Sequence, residues 1–469
     1  MIVERIFTPG LAQVAYLVLD ETSGEAAVVD PRRDIGAYLM WAREHGARIV
    51  AILETHVHAD FVSGARELAA ATGAPVYAGR LGETEFLHVP LDDGDEIYVG
   101  GLTLRALWTP GHTPEHIAYL LIDPAVGSEP AALFSGDVLF AGEIGRPDLL
   151  GEAARQHLIE QLHETVTERL AALPDAAIVY PGHTAGSPCG KKIGDAPQTT
   201  IGHERSFNYA FNQPNKAAFI RVVMDGMPKP PAYYPTMKRV NKVGPDLWAA
   251  LPGGEPMTPR DLVRRQRDGA LVIDTRSADA FSAAHVPGAI AVELGPSFAI
   301  WAGWLTPYDR DVILVLDSSE LVDEARTELR RIGIDRVAGW LDGGMAAWLE
   351  AGLPVETMAT MPVAELAQRM ADRDDAVRVL DVRDPSEWAG GSIPGAVQLP
   401  VADIVSGAIP PDDGRALAAI CGSGYRSVVA ASLLQARGVK NVANVPGGTD
   451  AWVAAGLPLE RLAGDPVPA

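Results

Sequence analysis

The sequence has 469 residues, of which 47% are hydrophobic and 21% charged, and its formal net charge is −22. At about 150 residues per domain, a chain of this length forms about three domains, each with enough apolar residues for its own core. The excess of acidic residues argues against nucleic acid and against an anionic membrane as partners.

The beginning of the chain gives no sign of export. Residues 1–5 have neither a basic region followed by an apolar stretch nor a cleavage pattern, and no later apolar run is long enough to span a bilayer. Two cysteines, Cys189 and Cys421, exclude a disulfide framework. We therefore expect a cytoplasmic protein whose thiols stay reduced.

The first motif in chain order is an H-x-H-x-D cluster that follows an apolar, strand-like run at residues 49–53. It contains His56, His58 and Asp60, and Phe61 comes next. Two imidazoles and a carboxylate that leave a strand for a loop can turn toward one metal ion. Taken alone, the histidines fit a solvated polar turn equally well.

Three later turns have the same form, because each places a His or Asp directly after a short apolar strand. These residues are His112, Asp137 and His183. Four such turns in this order make ordinary turn chemistry a poor explanation. The sequence therefore predicts a metal site.

The order of these motifs, over residues 1–245, resembles the metallo-β-lactamase superfamily. The resemblance implies an αββα sandwich with its metal site at one edge of two sheets. Binuclear members carry a His after the motif's Asp, where this chain has Phe61, and a phenyl ring cannot coordinate a cation. A second site would keep only Asp60, His183 and a bridging Asp137, so we expect one metal per chain.

Within that superfamily, the resemblance to persulfide dioxygenases implies one Fe(II) held by His56, His112 and Asp137. Two imidazoles and one carboxylate suit non-haem Fe(II), because they leave positions open for a thiolate-like substrate and O2. Sequence spacing alone does not separate Fe from Zn. Three further side chains would orient ligands or waters from outside the coordination sphere: His58, Asp60 and His183.

Three other residues are candidates for contact with the substrate. Arg146 lies in a G-R-x-D segment that resembles persulfide dioxygenases, and its guanidinium can bind a carboxylate. Tyr180 comes just before the turn that carries His183, and Cys189 comes shortly after it. A turn-fixing Arg, a packed Tyr and an ordinary loop cysteine are the alternatives.

Residues 228–241, rich in proline at their start, predict an extended connection at the end of the first domain. Beyond it, two segments of similar motif order predict an internal repeat, at residues 256–357 and 358–463. Strands alternating with helices indicate two α/β domains after the α+β sandwich.

In the second copy, Cys421 ends an apolar strand and precedes a helical stretch. Backbone N–H groups there, with the positive end of the helix, can cradle an anion and activate the thiol, although an inert buried Cys is the common alternative. The region resembles a rhodanese domain, which implies a persulfide on Cys421. The residues that would wrap the bound sulfur are Gly422, Ser423, Gly424, Tyr425 and Arg426.

The first copy offers Asp317 where the thiol should be. A carboxylate cannot carry sulfane sulfur, so we expect this rhodanese-like domain to be inactive and to serve as a spacer or docking domain.

The whole chain resembles a fusion of persulfide dioxygenase and sulfurtransferase. This implies a low-molecular-weight thiol persulfide and O2 as substrates, sulfite as product, and sulfur transfer that forms or uses thiosulfate. A zinc hydrolase of glyoxalase II type, which cleaves a thioester, is one alternative, and a non-enzymatic sulfur carrier is another. The thiol carrier, the direction of sulfur transfer and the oligomeric state, including a homo-oligomer, stay open.

Overall fold

The computed structural model describes residues 1–372 and 376–461. The chain divides into two compact units: Met1–Leu251 with Thr327–Gly333, and the other described residues from Pro252 onward. The second unit contains both rhodanese-like segments except Thr327–Gly333, so the three predicted domain limits stay predictions. Of the last predicted domain, residues 373–375 and 462–463 lie outside the described residues.

The first unit is built mainly from strands, numbered here in chain order. They are β1 (Ile2–Thr8), β2 (Gln13–Asp20), β3 (Glu25–Val29), β4 (Arg48–Leu53), β5 (Val76–Gly79), β6 (Val89–Leu91), β7 (Glu96–Val99), β8 (Leu102–Trp108), β9 (Ile117–Ile122), β10 (Ala132–Gly136), β11 (Leu139–Phe140), β12 (Glu143–Ile144), β13 (Ile178–Pro181) and β14 (Thr199–Thr200). Its helices are α1 (Gly36–Glu44), α2 (Ala65–Thr72), α3 (Glu152–Glu164), α4 (Ile201–Phe207), α5 (Lys216–Met224) and α6 (Tyr234–Val243).

These strands form two large sheets, in the orders β1-β2-β3-β4-β5-β6 and β14-β13-β10-β9-β8-β7. Strand β2 explains why they stack. Val14 and Tyr16 point into the core shared with the second sheet, whereas Ala15 and Leu17 point to the core under α1 and α2. A strand that is apolar on both faces must be covered on both.

On the far side of the second sheet, Ile159 and Leu162 of α3 and Phe219 of α5 pack against strand residues such as Leu133. The unit therefore has helices outside two sheets, which confirms the predicted αββα sandwich.

The predicted extended connection at residues 228–241 is wrong in its second half. Tyr234–Val243 forms α6, with Pro235 in its first turn. Proline suits this position, because the first N–H groups of a helix have no intrahelical acceptor and the fixed φ of proline matches the helix. This half of the segment is therefore a helix of the first unit and not an extended connection.

The second unit contains the remaining strands, which are β15 (Glu255–Met257), β16 (Leu271–Asp274), β17 (Ile290–Ala291), β18 (Val312–Val315), β19 (Val337–Leu341), β20 (Ala359–Thr360), β21 (Val377–Asp381), β22 (Val397–Gln398), β23 (Ala416–Ile420) and β24 (Val442–Asn444). The helices that follow α6 in the chain are α7 (Pro259–Arg267), α8 (Ala278–Ala283), α9 (Phe298–Leu305), α10 (Val322–Arg331), α11 (Gly344–Glu350), α12 (Val363–Ala371), α13 (Pro385–Trp388), α14 (Val401–Val405), α15 (Tyr425–Ala436) and α16 (Gly448–Ala454).

The two sheets of this unit have the same topology, β15-β19-β18-β16-β17 and β20-β24-β23-β21-β22, and their strand pairs are parallel. Asp274 with Arg276, and Asp381 with Arg383, form the same buried ion pair at the end of equivalent strands. The internal repeat and the two α/β domains are thus confirmed.

The two copies pack together inside the second unit. The backbone N–H of Ala291 donates to Oγ of Ser432 at 3.0 Å, and the hydroxyl of Tyr425 donates to the carbonyl of Glu293 at 3.1 Å.

No helix among the described residues combines the length and apolar character needed to cross a membrane.

Candidate metal centre and sulfur-transfer site

Three buried side chains converge at one end of the sandwich. His56 follows β4, His112 follows β8, and Asp137 follows β10. Nε2 of His56 lies 3.8 Å from Oδ2 of Asp137, and Nε2 of His112 lies 3.6 Å from the same oxygen. The structure therefore brings the three predicted ligands together.

These three atoms are buried and lack a hydrogen-bond partner. All three lie within 4.8 Å of one another. Buried polar atoms are normally paired, so three unpaired atoms aimed at one point fit a metal ion. The donor set, two imidazoles and one carboxylate, suits Fe(II) and also allows Zn.

Outer hydrogen bonds orient both imidazoles. The Thr55 hydroxyl donates to Asp30 at 2.8 Å, so His56 Nδ1 donates to that hydroxyl at 2.9 Å and leaves its Nε2 lone pair toward the site. His112 Nδ1 donates to the carbonyl of Arg146 at 2.9 Å. Burial lowers the pKa of His56 and of His112, which keeps both rings neutral and able to bind a metal.

His116, which sequence inspection did not single out, positions the carboxylate ligand. The backbone N–H of Asp137 donates to Nε2 of His116 at 3.1 Å, and Nδ1 of His116 donates to the hydroxyl of Thr109 at 2.8 Å. Burial lowers the pKa of His116 to about 3, so the ring stays neutral and accepts. The T-P-G-H-T-P-E-H segment carried this signal, because two histidines four residues apart frame one turn.

His183 lies between two carboxylates. Its Nδ1 is 2.7 Å from Oδ1 of Asp137, and its Nε2 is 2.7 Å from Oδ2 of Asp60. Burial opposes a charge on the ring, but the two carboxylates override it and raise the pKa of His183 well above its usual range. Both ring nitrogens of His183 are therefore engaged as donors. The side chain of Phe61, next to Asp60, has no atom that could bind a metal.

His58 is turned toward a second pair of carboxylates. Its Nε2 lies 3.1 Å from Asp30 and 3.6 Å from Glu54, and its Nδ1 is buried without a hydrogen-bond partner. Burial again opposes the charge, but Asp30 and Glu54 raise the pKa of His58 to about 9. Sequence inspection missed both carboxylates. Asp30 directly follows β3 and has a positive φ of 49°, a conformation that aspartate adopts more readily than most residues.

The guanidinium of Arg146 is occupied within the protein. It makes two bonds to Asp148, at 2.7 and 2.8 Å, and donates to the carbonyls of Pro188 and Pro228 at 3.0 and 2.5 Å. The side chain is buried. This geometry fits the turn-fixing alternative, and the carbonyl of Arg146 orients His112.

Tyr180 packs its ring on Phe134 and Tyr16, with ring centres 5.3 Å apart in both pairs. Its ring thus belongs to the core between the sheets. Cys189 is closer to the metal site, because its sulfur lies within 4.8 Å of ligand atoms of Asp60 and His183. Burial raises the pKa of Cys189 well above its usual range, so the thiol is protonated.

Helix α6 forms a wall of the site that sequence inspection missed. Asn241 donates to the carbonyls of His58 and Phe61 at 2.9 and 2.7 Å and accepts from the N–H of Ser63 at 2.9 Å. One amide therefore ties the whole H-x-H-x-D loop to α6. Tyr234, two turns earlier, places its hydroxyl 3.7 Å from the sulfur of Cys189.

In the second unit, Cys421 follows β23 directly and is buried. Its sulfur accepts from the N–H of Gly424 at 3.1 Å and lies 3.5 Å from Oγ of Ser427. Gly424 has a φ of 106°, which turns its N–H toward the sulfur, and α15 starts at the next residue. The loop thus sets the thiol at a helix N-terminus, where a thiolate is stabilised.

Residues outside the Cys421 loop hold other parts of the predicted sulfur-binding loop in place. Arg426 pairs with Glu387 through bonds of 2.5 and 2.7 Å, and the carbonyl of Cys421 accepts from the N–H of Thr449 at 2.7 Å. An added Cβ at Gly448 would come 2.2 Å from that carbonyl, so only glycine fits there.

In the first rhodanese-like copy, the residue in the thiol's place is Leu316, and the prediction of Asp317 is wrong by one position. Asp381 pairs with Ile420, the residue before Cys421, and the equivalent Asp274 pairs with Val315, the residue before Leu316. The loop of the first copy has neither the Cys nor the Gly-x-Arg of the Cys421 loop, so the sequence alone left its register undetermined. Leucine is no nucleophile, so the expectation of an inactive copy remains.

Comparison with known proteins agrees with this architecture. Residues 8–183 match the model of the metallo-β-lactamase superfamily, and residues 258–351 and 362–455 match that of the rhodanese-like domain. A crystal structure of a metallo-β-lactamase from Staphylococcus aureus has 35% identity and a TM-score of 0.66, and the match covers 73% of this chain and 98% of that one.

Among curated relatives, a hydroxyacylglutathione hydrolase of Pseudomonas entomophila is 40% identical over 169 residues, which are 36% of this chain and 60% of that protein. A probable metallo-hydrolase of Burkholderia pseudomallei is 34% identical over 218 residues, with 39% of this chain and 72% of that protein covered. The chain thus spans less than two thirds of the hydrolase from Pseudomonas.

Proposed function

Since the chain belongs to the metallo-β-lactamase superfamily and also carries two rhodanese-like domains, we propose that it is a non-haem Fe(II) persulfide dioxygenase with thiosulfate sulfurtransferase activity. The first domain would oxidise a low-molecular-weight thiol persulfide, and Cys421 would move sulfane sulfur to or from the product.

The observation that carries the proposal is the set of unpaired atoms on His56, His112 and Asp137. These two imidazoles and one carboxylate would hold Fe(II) and leave positions for other ligands, which a reaction between a sulfur anion and O2 requires. His183 supports a single metal, because both of its ring nitrogens already face carboxylates.

The reaction balances as RSSH plus O2 plus H2O giving RSH plus sulfite and two protons. When bound, Fe(II) would supply the coordination positions at which the terminal sulfur and O2 meet. The chain's own residues hold the ligands in place: Arg146 and Thr55 accept from the two imidazoles, and His116 accepts from the backbone of Asp137. Such outer contacts set both ligand orientation and metal affinity.

The second reaction would take place at Cys421. A persulfide on its sulfur would be attacked by sulfite, the S–S bond to Cys421 would break, and thiosulfate would leave with the outer sulfur while Cys421 returned as a thiolate. The N–H of Gly424, which already points at the sulfur, would stabilise both the persulfide anion and the thiolate of Cys421. Fusing the two domains raises the effective concentration of sulfite near Cys421.

One observation favours a second candidate, a zinc hydrolase that cleaves a thioester. Nδ1 of His58 is buried without a partner while its Nε2 faces Asp30, an arrangement common for metal-bound imidazoles. Three imidazoles would then surround a zinc ion, and the hydroxyacylglutathione hydrolase similarity points the same way. Phe61, which stands where binuclear members have a further imidazole, counts against it.

Metal analysis and turnover separate the two candidates. We expect about one iron per chain in anaerobically prepared protein, and O2 uptake with a panel of persulfides that includes glutathione and coenzyme A persulfides, with sulfite as product. Hydrolysis of an acylglutathione by zinc-loaded protein, without O2 uptake by iron-loaded protein, would show that the hydrolase is the correct function.

A further inference from the structure

The ammonium group of Lys238 lies beside the metal-binding loop and takes no part in the site contacts described above. Its Nζ donates to the carbonyl of Val57 at 3.2 Å, and Val57 stands between His56 and His58. The side chain is only 15% exposed. Even partial burial of an ammonium is costly unless it meets negative charge, so the contacts of Lys238 need an explanation.

The neighbouring carboxylate meets this need only in part. Oε1 of Glu115 lies 4.0 Å from Nζ, beyond hydrogen-bond distance, and accepts instead from the N–H of Val57 at 3.0 Å. An ammonium has three N–H donors, and the Val57 carbonyl takes one of them. Lys238 thus keeps donor capacity next to the candidate metal centre.

Val57 places Lys238 next to the metal-binding loop. Val57 directly follows His56, its carbonyl accepts from Lys238, and its N–H donates to Glu115. Burial lowers the pKa of Lys238, and the Glu115 carboxylate opposes this shift. The ammonium group therefore lies beside the backbone that carries a metal ligand.

An anion that approaches this site approaches a chain that is acidic overall. The chain carries a net charge of −22, and Asp60 and Asp137 line the site itself. Persulfides and sulfite are anions near neutral pH, and a desolvated like charge strongly disfavours their binding. Lys238 supplies a compact positive charge where such an anion needs it.

We propose that Lys238 is a substrate-binding residue that holds the anionic sulfur group of the substrate, and of the sulfite formed from it, beside the metal triad. The identity of that anion rests on the proposed function. Lys238 also lies outside the segment that matches the superfamily model, residues 8–183, so this anion site is contributed by α6.

A purely structural role makes a different prediction. If Lys238 only tied α6 to the Val57 carbonyl, its loss would lower stability and metal content and would affect charged and neutral ligands alike. Anion affinity with an intact metal content separates the two roles.

The test uses iron-loaded full-length protein in a Cys421→Ser background, which removes the second sulfur site. Lys238→Met removes the charge, Lys238→Arg keeps it, and Lys242→Met is the matched control one turn further along α6, where the ammonium pairs with exposed Glu83 at 2.8 Å. Equilibrium binding of sulfite is measured by anaerobic calorimetry, with metal content, and KM and kcat for persulfide are measured by O2 uptake.

For Lys238→Met we expect sulfite affinity to fall and KM to rise by about 10- to 100-fold, the size of a hydrogen bond to a charged group, with kcat changed by less than about threefold and metal content unchanged. Lys238→Arg should stay within about threefold of the parent, and Lys242→Met should not differ from it. If Lys238→Met fails to fold, Lys238→Gln takes its place.

Unchanged sulfite affinity in the charge-removing variant would overturn the proposal. If the parent protein showed no O2 uptake with any persulfide while sulfite binding still depended on Lys238, the anion site would stand and the dioxygenase function would fall.

Discussion

Nε2 of His183 lies 2.7 Å from Oδ2 of Asp60, so a hydrogen bond joins two side chains that a second metal ion would need. In binuclear relatives of this fold, as the sequence resemblance implies, the motif's Asp and a following His hold the second ion. Here Oδ2 of Asp60 accepts a hydrogen bond from His183, and the Phe61 ring is tilted against the ring of His58 with centres 4.4 Å apart. The number of metal ions is therefore a direct test of the site.

Replacement of His56, His112 or Asp137 by Ala should reduce the metal content from about one per chain to near zero and abolish O2 uptake, because two ligands hold iron weakly. Elemental analysis of anaerobically purified protein measures this. His157→Ala, on the exposed face of α3, is the control and should retain both. Full metal retention in any of the three variants would remove that residue from the ligand set.

Cys189→Ser should leave the metal content at one per chain. Cys189, Asp60 and His183 lie close enough to hold an ion, but His183 has no free nitrogen for it. Elemental analysis of parent and variant side by side gives the answer. A parent with two ions per chain that falls to one on this substitution would show that the cluster is a second metal site.

Cys421→Ser should abolish sulfur transfer from thiosulfate and leave O2 uptake with a supplied persulfide within about twofold of the parent. A hydroxyl is too weak a nucleophile to take up sulfane sulfur. The product, followed by chromatography, should change from thiosulfate to sulfite. Thiosulfate formation that survives this change would assign sulfur transfer to another group.

In a Cys421→Ser background, neither Leu316→Cys nor Asp317→Cys should restore sulfur transfer. The loop after β18 enters a short 3-10 turn at Ser319–Leu321 and lacks the Gly424 N–H that meets the sulfur of Cys421. A thiolate there would miss that stabilisation. Sulfur transfer from thiosulfate to cyanide measures the result, and substantial activity in Leu316→Cys would mean that the first copy lacks only its nucleophile.

Asn241→Ala should lower the free energy of unfolding of the first unit by about 2–3 kcal/mol and reduce metal affinity. It leaves the carbonyls of His58 and Phe61 and the N–H of Ser63 without their partner in a buried place. Denaturant titration and metal binding measure the two effects. Asn212→Ala, in an exposed turn, is the control and should cost less than about 1 kcal/mol.

Much of the site was predictable because its residues directly follow short apolar strands. His56, His112 and Asp137 each leave a strand of one sandwich, and the strands of a sheet end near a common edge. The sequence therefore determined the three candidate ligands, the αββα sandwich and the two rhodanese-like domains. Cys421 was predictable for the same reason, since a thiol between a strand and a helix meets the helix N-terminus.

Only the tertiary structure decided which groups surround these residues. Asp30, Asn241 and Lys238 lie far from the H-x-H-x-D motif in the chain, and no local pattern marks an amide or an ammonium that becomes buried through packing of α6. The assignment of Leu316 to the position equivalent to Cys421 required the strand register, because the sequence of the loop alone also allows a register shifted by one residue. Carboxylates from distant parts of the chain, Asp30 beside His58 and Asp137 beside His183, determine the hydrogen bonds of both imidazoles and raise their pKa values.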